Sequence, residues 1–481
     1  MLRKISTVMF YASLPLIIPF AYSLYLGDGA WMPIGVTIIL LALPAIPGII
    51  MGMFENAMNF LKYLINPDTP FNSAALIDMN SMRQQVDTLT LGEILTLTSL
   101  VWILVPAIAT IPYVYYHIPL MDAFFESMSG WTSTGLSALP TLSNLPQSLI
   151  LFRSTTQWIG GLGIVVLLLL TLRGREAVGF LKAEGRNMMD MGISETVSTI
   201  FKVYLFLTLV GIGLLVFLGM DIFNSVNLAF SGISNGGFFP FDDFEFTNMQ
   251  KGALAILMFA GATSFIFYKN IWKGIASKSI FDEEFLLYLI ITIAAVLLIA
   301  LAGGGEFFNT TLNTVSAIAA GGFAIGDLSI LSDFSLYLLV LLMISGGMFG
   351  STTGGIKLWR ILVIFKAIIN QIKKAFLPAG SVQVVKINNG PIDDHSIVES
   401  VIFVFTYLFL FMFAAGIFLL ANYSLENSFF MVASALGNVG LSTLSVPAIG
   451  FNGKAFIILL MYLGRIEIFP SLALISYIIR R

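Results

Sequence analysis

Four stretches of this chain share one pattern: DAFFESMSGWTSTGL (122–136), NSVNLAFSGISNGGF (224–238), NTTLNTVSAIAAGGF (309–323) and NSFFMVASALGNVGL (427–441). Each begins with Asp or Asn, carries Ser seven residues later, then a large apolar residue (Trp131, Ile233, Ile318, Leu436), and ends on Gly followed by Leu or Phe. From average residue usage one such match in a given register arises about once in ten thousand, so four of them are an internal repeat. Asp122, Asn224, Asn309 and Asn427 are residue types that cap helix N-termini. About eight helical residues would then rise roughly 12 Å, too little to cross a hydrocarbon core of about 30 Å. The Gly-containing stretch that follows has low helical propensity and can return extended, with its carbonyls exposed. Such backbone survives at membrane depth only where protein or a water-filled path surrounds it.

The chain around these stretches belongs in lipid. Of 481 residues, 57% are hydrophobic and 11% charged, where a soluble domain carries about 25% charged residues. Mean hydropathy is +0.92. Ten apolar runs are long enough to span, near 5–26, 31–53, 94–116, 148–172, 198–220, 251–276, 284–302, 335–372 (interrupted), 397–421 and 454–479. The first follows Arg3 and Lys4 and is longer than a signal-peptide core, so it reads as a retained span. Each short helix and loop lies between two full spans, which makes the four units parallel repeats. The fold expected is an all-α integral membrane protein: four span, re-entrant pore loop, span repeats around a central pore, plus an N-terminal pair of transmembrane helices. Boundaries are expected at 1–88 for the pair, then 89–185, 186–280, 281–390 and 391–481 for the repeats.

Charge is sided. Lys and Arg are absent from 117–152, 221–250, 303–334 and 423–453, which hold ten carboxylates: Asp122, Glu126, Asp221, Asp242, Asp243, Glu245, Glu306, Asp327, Asp333 and Glu426. Basic residues gather at Arg173–Arg186, Lys269–Lys278, Lys357–Lys386 and Arg480–Arg481. The positive-inside rule puts those clusters in the cytoplasm and the acidic loops outside, where their field concentrates cations. Four loops around one axis would point the negative ends of short helices inward and offer carbonyls in place of ion hydration. The chain lacks Cys, has only His117 and His395, each at the end of a predicted span, and carries no HExxH motif, so membrane-enzyme chemistry has no residues to rest on. Nothing points to nucleic acid. A secondary transporter with alternating access is the alternative; such folds commonly show inverted repeats, whereas these are parallel.

These loops resemble the filters of the Trk/Ktr/HKT superfamily of potassium transporters, most closely its TrkH branch. The filter stretches read TSTGL (132–136), SNGGF (234–238), AAGGF (319–323) and GNVGL (437–441), placing the family's key glycines at Gly135, Gly237, Gly322 and Gly440. The resemblance implies that potassium is the cargo, with no cofactor in this chain. It would be held by the backbone of Thr132, Ser133, Thr134 and Gly135, of Ser234, Asn235, Gly236 and Gly237, of Ala320, Gly321 and Gly322, and of Asn438, Val439 and Gly440. Leu441 and Ser442 stand where many relatives have Pro-Gly. The two spans before the first repeat look like the extra helical pair of the TrkH branch. GSTTGGIK (350–357) looks like the family's intramembrane gating loop; the interrupted run 335–372 has its break at Gly346, Gly347, Gly350, Gly354 and Gly355. The gate implied comprises these glycines with Ser351, Thr352, Thr353, Lys357 and Arg465, the last in YLGRIEIFP (462–470), inside the final span. Glu467 reads as a partner for neighbouring polar groups, and Arg153 and Lys62 as interfacial anchors. The resemblance further implies a multi-pass protein of the cytoplasmic membrane, a homodimer, and a cytosolic nucleotide-binding subunit of the TrkA type. No Walker or dinucleotide-binding motif occurs in a soluble stretch of this chain.

Overall fold

The computed structural model describes residues 2–46, 91–171, 193–272, 282–303, 305–378, 383–388 and 390–479. The expected boundaries at 88, 185 and 280, Lys62, and the whole of the basic stretch 173–186 lie outside them.

The N-terminal region contributes α1 (Leu2–Ser13), α2 (Ile17–Leu26) and α3 (Trp31–Ala42). It packs on repeat 1, α1 and α3 against one another and against the first span of that repeat, α2 against the second. Repeat 1 comprises α4 (Leu91–Ile108) and α5 (Ile111–Tyr115) as first span, the short helix α6 (Leu120–Trp131), and α7 (Gln147–Thr171). Repeat 2 has α8 (Ile193–Phe217), short helix α9 (Ile222–Ile233), then α10 (Asn248–Gly261) and α11 (Phe265–Trp272). Repeat 3 has α12 (Glu283–Leu301), short helix α13 (Phe307–Ile318), α14 (Asp333–Ser345) and α15 (Leu358–Lys374). Repeat 4 has α16 (Asp394–Leu420), short helix α17 (Leu425–Leu436), α18 (Phe451–Arg465) and α19 (Phe469–Ile479). Strand is confined, among the described residues, to a two-residue hairpin, Lys386–Ile387 with Gly390–Pro391.

The solvent-side logic is inverted. Phe217, Ile290 and Phe405 stand 85%, 62% and 71% exposed on first spans, while Ser, Thr, Asn and charged side chains crowd the interior, as expected when lipid is the surrounding medium. Five helices among the described residues have the length and hydropathy of membrane spans, and two bent pairs add to them. The bends correct the expectation of unbroken second spans. The α10/α11 pair turns by 94° and α18/α19 by 104°. In the second case Glu467 and Ile468 take φ of +56° and +62° just before Pro470, so the chain leaves the helix at Arg465. With the break at 346–357, the second spans of repeats 2, 3 and 4 are all interrupted.

Helix starts needed correction too. The short helices begin three residues earlier than expected, with N-caps at Pro119, Asp221, Glu306 and Ser424. Asp221 and Ser424 accept the backbone N–H of Asn224 and Asn427, so those residues occupy the third helical position. Each short helix is therefore 12 residues, about 18 Å, still well short of a span.

The repeats close into a ring. Each short helix packs on both spans of its own repeat and on the second span of the preceding one: α9 on α7, α13 on α10, α17 on α14, and α6 on α18. The last contact joins repeat 4 to repeat 1, and α19 against α4 closes the ring again on the other half. Lys251 of α10 pairs with Glu306 at the start of α13 (3.0 Å), and Lys454 of α18 with Asp122 in α6 (2.6 Å). With Glu126, which pairs with Arg153 (2.6 Å), three of the ten carboxylates in the basic-free stretches are ion-paired, and their field is weaker than their number alone implies.

Candidate ion-conduction site

The backbone repeats more faithfully than the sequence. After each short helix the C-cap is right-handed at Thr132, Ser234, Ala319 and Gly437. The next residue is left-handed: Ser133 (φ +52°), Asn235 (+54°), Ala320 (+52°) and Asn438 (+51°). Two residues on, Gly135, Gly237, Gly322 and Gly440 take φ of +90°, +78°, +73° and +97°. Four non-glycine residues held left-handed at equivalent places imply surroundings that over-determine them. The repeat serine supplies part of that. Its carbonyl, at Ser129, Ser231, Ser316 and Ser434, accepts the N–H of Thr134 (2.9 Å), Gly236 (2.7 Å), Gly321 (2.7 Å) and Val439 (2.8 Å). With Ser133, Asn235 and Asn438 donating to Gly130, Gly232 and Ala435, the helix ends form Schellman-type caps. In repeats 1 and 4 the serine hydroxyl also accepts the loop-glycine N–H, Gly135 at 3.1 Å and Gly440 at 3.0 Å.

The four glycines meet around one axis. A Cβ on Gly135 would strike the Gly236 carbonyl; on Gly237 it would lie 2.5 Å from Gly322 Cα and 2.9 Å from the Gly321 carbonyl. On Gly322 it would lie 2.7 Å from the Val439 carbonyl, and on Gly440 it would strike that of Thr134. The residues preceding the glycines thus present Thr134, Gly236, Gly321 and Val439 carbonyls to neighbouring loops in the order 1, 2, 3, 4, 1. The C-terminal ends of four helices point at this ring, adding negative potential where a cation would stand. The side chains of Thr132, Ser133 and Ser234 bond to Met128, Gln157 and Ser231 carbonyls, so they brace the loops.

Two supports escaped the sequence reading. Gln157 of α7 donates to the Gly236 carbonyl (2.5 Å) and accepts the Phe238 N–H (3.2 Å), clamping loop 2 from repeat 1. Arg153, expected as an interfacial anchor, is 2% exposed. Its guanidinium donates to Glu126 of α6 (2.6 and 2.8 Å) and to the Phe239 carbonyl (3.1 Å), with the Phe238 ring 4.1 Å away. Glu126 also accepts from Ser137 and the Ala138 N–H. A lone charge near a span end reads as an anchor; only the fold brings its partner within reach.

Beneath the ring lies the segment 346–357. Gly346, Gly350 and Gly355 take φ of +67°, +71° and +79°. Met348 and Thr352 donate backbone N–H to the Ala262 and Gly261 carbonyls, and Phe349 N–H donates to the Glu284 carboxylate (2.5 Å). A Cβ on Gly347 would meet Ala262, and one on Gly354 would meet Gly437 at the end of α17. Ser351 and Thr353 hydroxyls bond one another (2.9 Å), and Lys357 donates to the Thr353 carbonyl and hydroxyl. Thr352 is the junction. Its hydroxyl bonds the Gly261 carbonyl (3.1 Å) and accepts from Asn235 of loop 2 (2.8 Å), while its carbonyl accepts from Arg465 (2.8 Å). Arg465, 5% exposed and the last residue of α18, donates its other terminal nitrogen to the Gly160 carbonyl of repeat 1. Gly160, Gly261 and Gly464 each tuck under the last carbonyl of a short helix, at Trp131, Ile233 and Leu436. The residue after that glycine is Gly161, Ala262 or Arg465, so one position of a near-symmetric layer carries a cation. Glu467 pairs with Arg360 (2.8 Å), the partner role expected of it. Among the described residues no group of three or more His, Cys, Asp or Glu side chains converges on a metal-like site.

Comparison with known proteins agrees with this architecture. The model of the TrkH cation transport protein family matches residues 80–301 and 284–479. The chain belongs to the TrkH family. It is 32% identical over 444 residues to an uncharacterized cation transporter of Methanocaldococcus jannaschii, covering 89% of this chain and 90% of that protein. It is 28% identical over 409 residues to the Trk system potassium uptake protein TrkH of Escherichia coli, covering 78% and 83%. The crystal structure of the potassium transporter TrkH from Vibrio parahaemolyticus superposes with a TM-score of 0.81 over 100% of this chain and 99% of that one, at 23% identity, a likeness of fold. The TrkH-family fold accounts for the repeats, the pore loops and the N-terminal helices together.

Proposed function

We propose that this TrkH-family chain takes up potassium across the cytoplasmic membrane through the four-loop ring. Segment 346–357 and Arg465 form the gate. The observation that carries the reading is the ring itself: four loops of matching dihedrals, each offering the carbonyl before its glycine to the next. Carbonyl rings of this kind replace an ion's hydration shell and select among cations. Relatives named for potassium uptake support potassium as the cargo. Acidic loops face outward and basic ones inward. Ion passage needs no bond-making chemistry, and the chain acts as a transporter with no cofactor. The working unit is a homodimer regulated by a TrkA-like cytosolic nucleotide-binding subunit, docking on the basic inner loops.

Rubidium uptake into liposomes carrying the purified chain, with the membrane potential clamped and no sodium or proton gradient, tests the reading. Uptake by the parent or by Arg465→Ala supports it. Uptake that requires stoichiometric sodium or proton movement replaces it with a coupled carrier, and no uptake by either under any gradient overturns it.

A further inference from the structure

A cavity of about 280 Å³ lies between α1, α4, α7 and α8, beside the ring. Fourteen of the described residues line it, none of them charged. At its mouth stand Leu14 and Phe201, 41% and 43% exposed, on helices with the length and hydropathy of membrane spans, so the medium there is hydrocarbon. Its inner wall includes Trp102, Trp131 and Gly160. The indole N–H groups of Trp102 and Trp131, 4% and 3% exposed, have no acceptor among the described residues. Water would need two to four polar partners to stay there, and this lining, with both indole nitrogens buried, presents almost no polar surface. Close-packed interiors leave few voids larger than a water molecule. A void that opens onto lipid is filled by what lipid offers.

We propose that this cavity is an acyl-chain site, occupied by the tail of a bilayer phospholipid entering between Leu14 and Phe201. The tail would touch the conduction machinery from behind. Trp131 is the last residue of α6, directly before filter residues 132–135, and Gly160 lies against its carbonyl while accepting Arg465. The occupant thus supports one wall shared by filter and gate, which links membrane composition to conduction.

The test reads binding and is independent of ion flux. Of the six tryptophans, Trp31 and Trp359 lie outside the cavity lining; these two and Trp272 are replaced by Phe, leaving Trp102, Trp131 and Trp158 as reporters. The protein is placed in phosphatidylcholine vesicles with plain or mid-chain-brominated acyl tails. Bromine should remove most of the emission. Filling the cavity by Ala12→Phe, or by Val105→Phe should the first variant fail to fold, should restore most of it. Equal quenching in filled and unfilled protein, or none in either, would overturn the proposal. So would disulfide formation between Leu14→Cys residues of two copies, which would show a second chain covering the mouth.

Discussion

Ser129, Ser231, Ser316 and Ser434 hold the same place in the four repeats, yet their hydroxyls are used unequally. Those of Ser129 and Ser434 accept the N–H of the loop glycines Gly135 and Gly440, whereas those of Ser231 and Ser316 have no partner among the described residues. Leaving a buried amide unpaired costs about 1–3 kcal/mol. Ser129→Ala and Ser434→Ala should therefore lower the thermal unfolding temperature in detergent, while Ser231→Ala and Ser316→Ala stay near the parent. Equal losses at all four would show that the serine matters only for its backbone. Arg153 makes a sharper case. Removing it strands Glu126 at 0% exposure, a loss of about 3–5 kcal/mol for a broken buried pair. Arg153→Met with Glu126→Leu should recover much of what Arg153→Met alone loses in the same melt. The repeat serine was visible in the sequence because four copies marked it. Arg153 was misread because its partner lies in another helix, and periodicity within one span says nothing about a contact across two.

At the scale of elements, the proposed gate is a loop stitched to three repeats. Arg465 ties it to Gly160 of repeat 1, and Thr352 ties it to Gly261 and Asn235 of repeat 2. Arg465→Ala removes two carbonyl contacts and a charge that repels cations in a low-dielectric path. It should raise basal rubidium flux in liposomes several-fold; a stably folded variant that conducts less than the parent would make the arginine structural. Away from the proposed gate Asp242 joins loops 1 and 2. Its partial burial would raise its carboxyl, but hydrogen bonds from Thr141, Leu142 and Ser143 outweigh this and hold the group below the ordinary carboxylate range. A lowered folded-state pKa gives stability that is present above the unfolded value of about 4 and is lost as pH falls through the folded one. Unfolding followed from pH 6 to pH 3 should show a loss on the acid side that Asp242→Asn lacks. The break at 346–355 was legible because five glycines mark it. Those at 262–264 and 466–468 were not: the apolar runs continue past them, and the bonds beside the turns, from the Met348 N–H to the Ala262 carbonyl and from Arg465 to the Thr352 carbonyl, come from distant sequence. Helix starts were displaced by one turn because Asp or Asn suits both the cap and the third position.

For the whole molecule, repetition made the topology readable before any contact was known: four matching stretches, each between two spans, leave a ring as the arrangement that serves all four loops alike. What composition did not reveal is how the ring is closed. Lys251 and Lys454 reach from one repeat to the short helix of the next, while the other two junctions lack this pair among the described residues. The central claim is that cations pass where the four glycines meet. Gly135 stands at φ +90° with no room for a Cβ beside the Gly236 carbonyl. Serine there must displace that carbonyl and widen or skew the ring. The most direct test is the potassium-over-sodium permeability ratio of Gly135→Ser against the parent, measured under bi-ionic conditions in the same liposomes. The ratio should fall several-fold while the protein still assembles; an unchanged ratio would place the selective path elsewhere.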